Sequence, residues 1–267
     1  MQAAELRPMG IGDILDTTFH LYRKKFVPFM VIVLVAYVPY SLIIGAVISA
    51  GVQAEGEPPD PAALLGLSLM TLLFAAVVIP LCQGALVHNI SAGYLGERLG
   101  AAQSYRRALP KVLTLLLANI LYVIVVAIGF VLLVVPGVIF TIWFMLTTTV
   151  VMLENHGATG SMGRSRELMR GNLGKGLMLL VLIVILQLVY SGILEYVLDA
   201  MPWPSMFWRH FIGNLGQVPI LPIQLAPLIL LYYDLRIRKE GFDLQQLAAA
   251  VESAAQPQPS AEASTPL

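Results

Sequence analysis

Six long apolar runs separated by short polar connections organise this chain, at about residues 26–50, 62–87, 112–135, 138–153, 176–198 and 211–233. A bilayer core of about 30 Å requires roughly 20 helical residues, so each run predicts a membrane-spanning helix. The stretch "TFHLYRKKFVPFMVIVLVAY" shows the usual boundary, three consecutive cations set directly against an apolar run. The third and fourth runs form one apolar stretch broken only by Pro136-Gly137. As a single helix it would far exceed the bilayer. Proline lacks a donor and glycine permits unusual dihedrals, so the pair predicts a tight turn between two antiparallel spans. The fourth span is then short.

The polar connections carry a pattern of their own. Ile11, Ile14, Leu15, Phe19, Tyr22 and Phe26 recur at helical spacing. Asp13 and Asp16 near the start of this segment, with Arg23-Lys24-Lys25 at its end, suit the helix dipole. In segment 101–112, Ala101, Tyr105, Ala108, Leu109 and Val112 share a face from which Arg106 and Arg107 are absent. In segment 161–173 the stripe is Met162, Met169 and Leu173, with Ser161 placed as N-cap. Each segment precedes two spans, so the chain reads as three units of amphipathic helix, span, span. "LYRKKFVPF" and "SYRRALPKV" are locally alike, and "ELMRGNLGK" is a weaker third copy. This points to a threefold internal repeat. The plainer reading is that any short basic loop before a span has this look.

The expected fold is therefore an all-α integral membrane protein with six transmembrane helices and three interfacial amphipathic helices. Its parts are an N-terminal interfacial helix (1–25), a six-span domain (26–240) and a tail (241–267). The tail starts helix-like in "FDLQQLAAAVESAA" and ends in "QPQPSAEASTPL", a composition typical of disorder.

Composition agrees. Hydrophobic residues make up 58% of the chain and charged residues 12%, against roughly 25% charged in soluble proteins. A net charge of zero argues against a nucleic-acid partner. The distribution of charge says more than its sum. Arg23, Lys24 and Lys25 precede the first span. Arg98, Arg106, Arg107 and Lys111 lie between the second and third, and Arg164, Arg166, Arg170 and Lys175 between the fourth and fifth. Arg236, Arg238 and Lys239 close the sixth. Six spans place all of these on one side. The other side receives Glu55, Glu57, Asp60, Asp199 and the single cation Arg209, with Glu195 near the boundary. By the positive-inside rule the basic side and both termini are cytoplasmic. A five-span chain would put basic segments on both sides. The first apolar run is too long for the core of a signal peptide and is read as a span. Cys82 has no partner for an intrachain disulfide and is expected to be a small buried hydrophobe.

Three stretches carry a family resemblance: "RPMGIGDILDTTFHLYRKKF", "PGVIFTIWFMLTTTVVMLENHGATGSMGRSRELMRGN" and "LYYDLRIRKEGFDL". They resemble the bacterial membrane-domain family named after glycerophosphodiester phosphodiesterases. The resemblance implies a multi-span module in the bacterial cytoplasmic membrane. In some members the module precedes a soluble phosphodiesterase domain. Only a few tens of residues follow the last span here, so the resemblance transfers a membrane fold and not an activity.

No catalytic, cofactor or metal constellation emerges. His20, His88, His156 and His210 lie in separate regions without ligand spacing, and no HExxH, CxxC, Walker or GxSxG pattern is present. Glu154-Asn155-His156 sits at a span end, where polar residues belong. The expected character is non-enzymatic.

Two groups of residues are candidates for function. Gln83, Asn119, Gln187 and Gln224, with Gln217, fall inside apolar runs. An unpaired amide in hydrocarbon costs several kcal/mol, so these residues either bond between helices or line a polar cavity. No Asp, Glu, Lys or Arg lies in mid-membrane, which argues against proton- or sodium-coupled transport. Arg106, Arg107, Arg164, Arg166 and Arg170 are expected to form a basic collar for lipid phosphate or an acidic partner, since arginine forks suit phosphate. Pro219, Pro222 and Pro227 are read within one helix, which they would kink. Asp234, beside Arg236 and Arg238, is expected to act as a latch to Arg106, Arg170 or Arg23. Two functional classes follow. One is a module organising membrane lipid, a protein partner or a second copy. The other is a transporter or channel subunit for a small or lipid-like molecule.

Overall fold

The computed structural model describes residues 8–52 and 61–241. The acidic positions Glu55, Glu57 and Asp60 and the tail from residue 242 lie outside the described residues. Every regular element among those described is helical. In chain order these are α1 (Ile11–Lys24), α2 (Phe26–Val52), α3 (Pro61–Tyr94), α4 (Ala101–Ala108), α5 (Val112–Leu132), α6 (Val134–Phe144), α7 (Thr147–Leu153), α8 (Ala158–Met169), α9 (Leu173–Asp199), α10 (Met206–Gly216) and α11 (Ile220–Glu240). A short 3-10 turn, Leu109–Lys111, joins α4 to α5. Six stretches are long and apolar enough to cross a membrane: Phe26–Ile48, Leu64–Tyr94, Ala101–Leu132, Val134–Leu153, Leu173–Asp199 and Met206–Glu240.

The elements fall into three units of one short helix followed by two spans. Each short helix packs against the closing span of another unit. Helix α4 lies on α3, α8 on α7, and α1 closes the cycle on α11. All three short helices begin after an extended glycine, at Gly10, Gly100 and Gly157. In α1 and α4 the side chain at the third helical position accepts the N–H of that glycine, through Asp13 at 2.8 Å and Gln103 at 3.3 Å. Ser161 is therefore not the cap of α8. It lies inside the helix, where its hydroxyl donates to the His156 carbonyl.

The α5–α6 turn also differs from expectation. It is the single extended residue Leu133, and Pro136-Gly137 falls in the first turn of α6. Proline is tolerated there because no intrahelical partner is waiting for its N–H. The glycines instead let the two arms approach. A Cβ on Gly137 would sit 2.5 Å from the Phe130 ring, and one on Gly129 would sit 2.9 Å from Gly137 Cα. Further along, Lys111 Nζ donates to the carbonyls of Val151, Met152 and Glu154, which fixes the hairpin as antiparallel.

Two spans are broken. Between α6 and α7 the ladder stops at Met145-Leu146. Ser165 of α8 fills the gap, accepting from Leu146 N–H at 3.2 Å and donating to the Trp143 carbonyl at 2.8 Å. The last span is α10 and α11 joined by a turn at 217–219. Pro219 caps α11 and Pro222 lies in its first turn, so only Pro227 stands in the helix interior. The expectation of three kinking prolines in one helix reduces to one.

The fully buried core gathers Phe29, Ile32, Leu86, Ile90, Leu115, Met152, Leu168 and Tyr232. Cys82 is buried with it, as expected. Outward faces remain apolar. On α5, Leu113, Leu117, Ile120, Ile124 and Ile128 form an exposed stripe. In water such a surface would drive association; in lipid it is the matching face. On α1 the buried side is Ile14, Thr18 and Leu21, while Phe19, assigned to the packed stripe by spacing, is 51% exposed.

Candidate functional sites

The short helices and the end of α11 meet at one end of the bundle. Asp234 is fully buried there. Its carboxylate accepts from Lys175 Nζ, from Arg238 Nε at 2.9 Å and from the Met9 backbone N–H at 2.7 Å. Lys175 and Arg238 also donate to the Met9 carbonyl, at 2.6 and 3.1 Å. Asp234 thus clamps the segment that enters α1. The expected partners Arg106, Arg170 and Arg23 are not the ones used.

A second network lies beside it. Arg164 donates to Glu154 at 3.1 Å, to Glu167 at 3.1 Å and to Glu240. Burial works against the Arg164 charge, but the bonds to Glu240 and Glu167 and the nearby Glu154 outweigh it and hold its pKa above the ordinary value. Tyr232 donates to Glu154 at 3.0 Å, Arg236 bonds Glu240 at 3.0 Å, and His156 Nε2 lies 3.0 Å from Glu154. A third contact joins α3 to α4, where Asn89 Nδ2 donates to the Leu99 carbonyl and to Ser104 Oγ, both at 2.9 Å.

These networks divide the five collar arginines. Arg164 is inside the protein's own ion pairs. Arg106, Arg107, Arg166 and Arg170 are exposed and form no ion pair among the described residues. Arg106 and Arg107 lie on α4. Arg166 and Arg170, on α8 and at its end, line an open cleft of about 500 Å³ with Trp143, Gly163 and Glu167. The Arg166 guanidinium lies 4.5 Å from the Trp143 ring centre, and Glu167 is held by Arg164.

The intramembrane amides also divide. Gln224 donates to Gln187, and Gln187 donates to Ser191 at 2.7 Å and to Gln217 at 3.4 Å. With Tyr190 donating to the Gly216 carbonyl, this group ties α9 to α10 and α11. Gln83 and Asn119 lie elsewhere, on a separate cavity of about 260 Å³ with Tyr122, Thr141 and Thr147–Thr149. Spacing did not reveal the hydroxyls of this second site, although the run Thr147-Thr148-Thr149 in an apolar span was a visible signal. At the opposite end of the bundle, Arg209 is paired with Glu195 at 3.0 Å and Asp199 at 2.6 Å.

Fold and sites together define an all-α, multi-pass integral membrane protein with its cationic segments gathered at one end. Comparison with protein-family models, curated proteins and solved structures finds no match.

Proposed function

We propose that this chain is a non-enzymatic module of the bacterial cytoplasmic membrane that holds anionic lipid headgroups at its basic end, with that end and both termini facing the cytoplasm. The observation that supports this reading is the division among the collar arginines. Arg164 is neutralised within the protein, whereas Arg166 and Arg170 face an open cleft beside Trp143. An indole at the membrane–water boundary and two free guanidinium forks suit a lipid phosphate. Each cation near an anionic leaflet adds roughly 1 kcal/mol of attraction. Kinship with the phosphodiesterase-associated membrane modules belongs to this proposal and rests on the three sequence stretches alone. A second reading, a transporter or channel subunit, draws on the cavity beside Gln83 and Asn119 and not on the four-amide site expected for it.

The test replaces Arg106, Arg107, Arg166 and Arg170 with Gln and retains Arg164 and the cations flanking the first and last spans. Membrane insertion is expected to be unchanged, with anionic lipid retained through purification reduced severalfold. Unchanged lipid in a normally inserted variant would make these arginines topological signals only.

A further inference from the structure

The cavity holding Gln83 and Asn119 is built from α3, α5, α6, α7, α9 and α11. Gln83 and Asn119 stand 11 and 7 residues from Tyr94 and Val112, the basic ends of their helices. At 1.5 Å per residue that depth is about 10–16 Å, inside the hydrocarbon of one leaflet. Polar groups at that depth are normally satisfied by the protein itself. Here they are not. Gln83 makes no hydrogen bond among the described residues. Asn119 donates to the Leu115 carbonyl at 2.9 Å, and its side-chain oxygen has no partner among the described residues. Thr147 is 4% exposed, and its hydroxyl is buried without a partner among the described residues. Thr147 opens α7 directly after the break, where Ser165 accepts from the Leu146 N–H and donates to the Trp143 carbonyl but does not reach the Thr147 hydroxyl.

The lining residues carry no formal charge, which argues against a phosphate, a carboxylate or a cation as occupant. Phe144, Met145, Leu180, Ile183, Leu225 and Leu228 supply the rest of the wall. The cavity is partly open, and at this depth the surroundings of a membrane-embedded bundle would be lipid. We propose that it binds the head of a neutral, hydroxyl-bearing lipid of the diacylglycerol type. Hydroxyl and ester oxygens would meet Gln83, Asn119 and Thr147, with the chains leaving toward the bilayer. This site is separate from the Arg166–Arg170 cleft and does not depend on it.

The probe is a photoactivatable diacylglycerol in phosphatidylethanolamine–phosphatidylglycerol vesicles containing the full chain, with photoactivatable phosphatidic acid of the same acyl chains as comparator. Diacylglycerol is expected to label peptides around Asn119 and Thr147, and phosphatidic acid to label them far less. Thr147→Val keeps the shape and removes the hydroxyl. It should lower labelling about fivefold, the equivalent of one hydrogen bond, while thermal stability is unchanged or raised because a buried unpaired group has gone. Asn119→Leu should act in the same direction. Free glycerol offers hydroxyls without ester groups or chains, and excess glycerol should not displace the probe. Equal labelling of parent and variants, equal labelling by phosphatidic acid, or displacement by glycerol would each overturn the assignment.

Discussion

Asp234 is a carboxylate with no exposed surface in a chain that is mostly apolar. Removing a charge from water costs several kcal/mol, and only close partners offset it. Lys175, Arg238 and the Met9 N–H supply them. Asp234→Ala leaves two cations and a backbone donor facing each other and is expected to destabilise the protein by about 3–5 kcal/mol. Unfolding in mixed micelles measures this. The double variant Asp234→Ala/Lys175→Met should recover part of the loss, and additive losses would mean that the two residues are not coupled. That Asp234 is a latch was legible from an acid placed beside Arg236 and Arg238. Its partners were not, because the return of Met9 is a backbone event with no residue signature. The same limit applies to Arg164. Its spacing resembles that of Arg166 and Arg170, and only the approach of Glu154 and Glu240 from other elements separates it from them.

At the scale of elements, the apolar runs and the three short helices were readable because each has a strong period or length. The breaks were harder to place. Proline and glycine mark a turn, but they also mark the first turn of a helix, so Pro136-Gly137 located the hairpin only to within a few residues of Leu133. Proline at Pro219 and Pro222 likewise starts α11 where the sequence implied kinks. The break between α6 and α7 had no local signal, since the residue that fills it, Ser165, comes from α8. Ser165→Val should leave the Leu146 N–H unsatisfied and cost about 1–3 kcal/mol, read as a lower unfolding midpoint. A parent-like midpoint would show that the break needs no plug. The hairpin is tested by Gly137→Ala, whose new Cβ would meet the Phe130 ring. Overpacking of this kind costs about 1–3 kcal/mol. Adding Phe130→Ala should restore part of it, and no recovery would mean that the arms are not in contact there.

For the whole molecule, six crossings gather the basic connections at one end, and the fold agrees with that grouping. Met9 meets Asp234, Glu154 meets Arg164, and Lys239 donates to the carbonyls of Glu167 and Arg170 at 2.7 Å. At the opposite end Arg209 is paired with Glu195 and Asp199, a single cation set against the basic clusters at the other end. The cyclic order in which each short helix closes on another unit's last span brings Met9 to the end of α11 and depends on the α5–α6 hairpin. The most direct measurement is cysteine accessibility in intact cells, on a Cys82→Ala background. Met206→Cys is expected to react with an impermeant maleimide from outside. Gly100→Cys, Gly163→Cys and Gly241→Cys are expected to react only after permeabilisation. Labelling of Gly163→Cys from outside would contradict the six-span arrangement and the hairpin together.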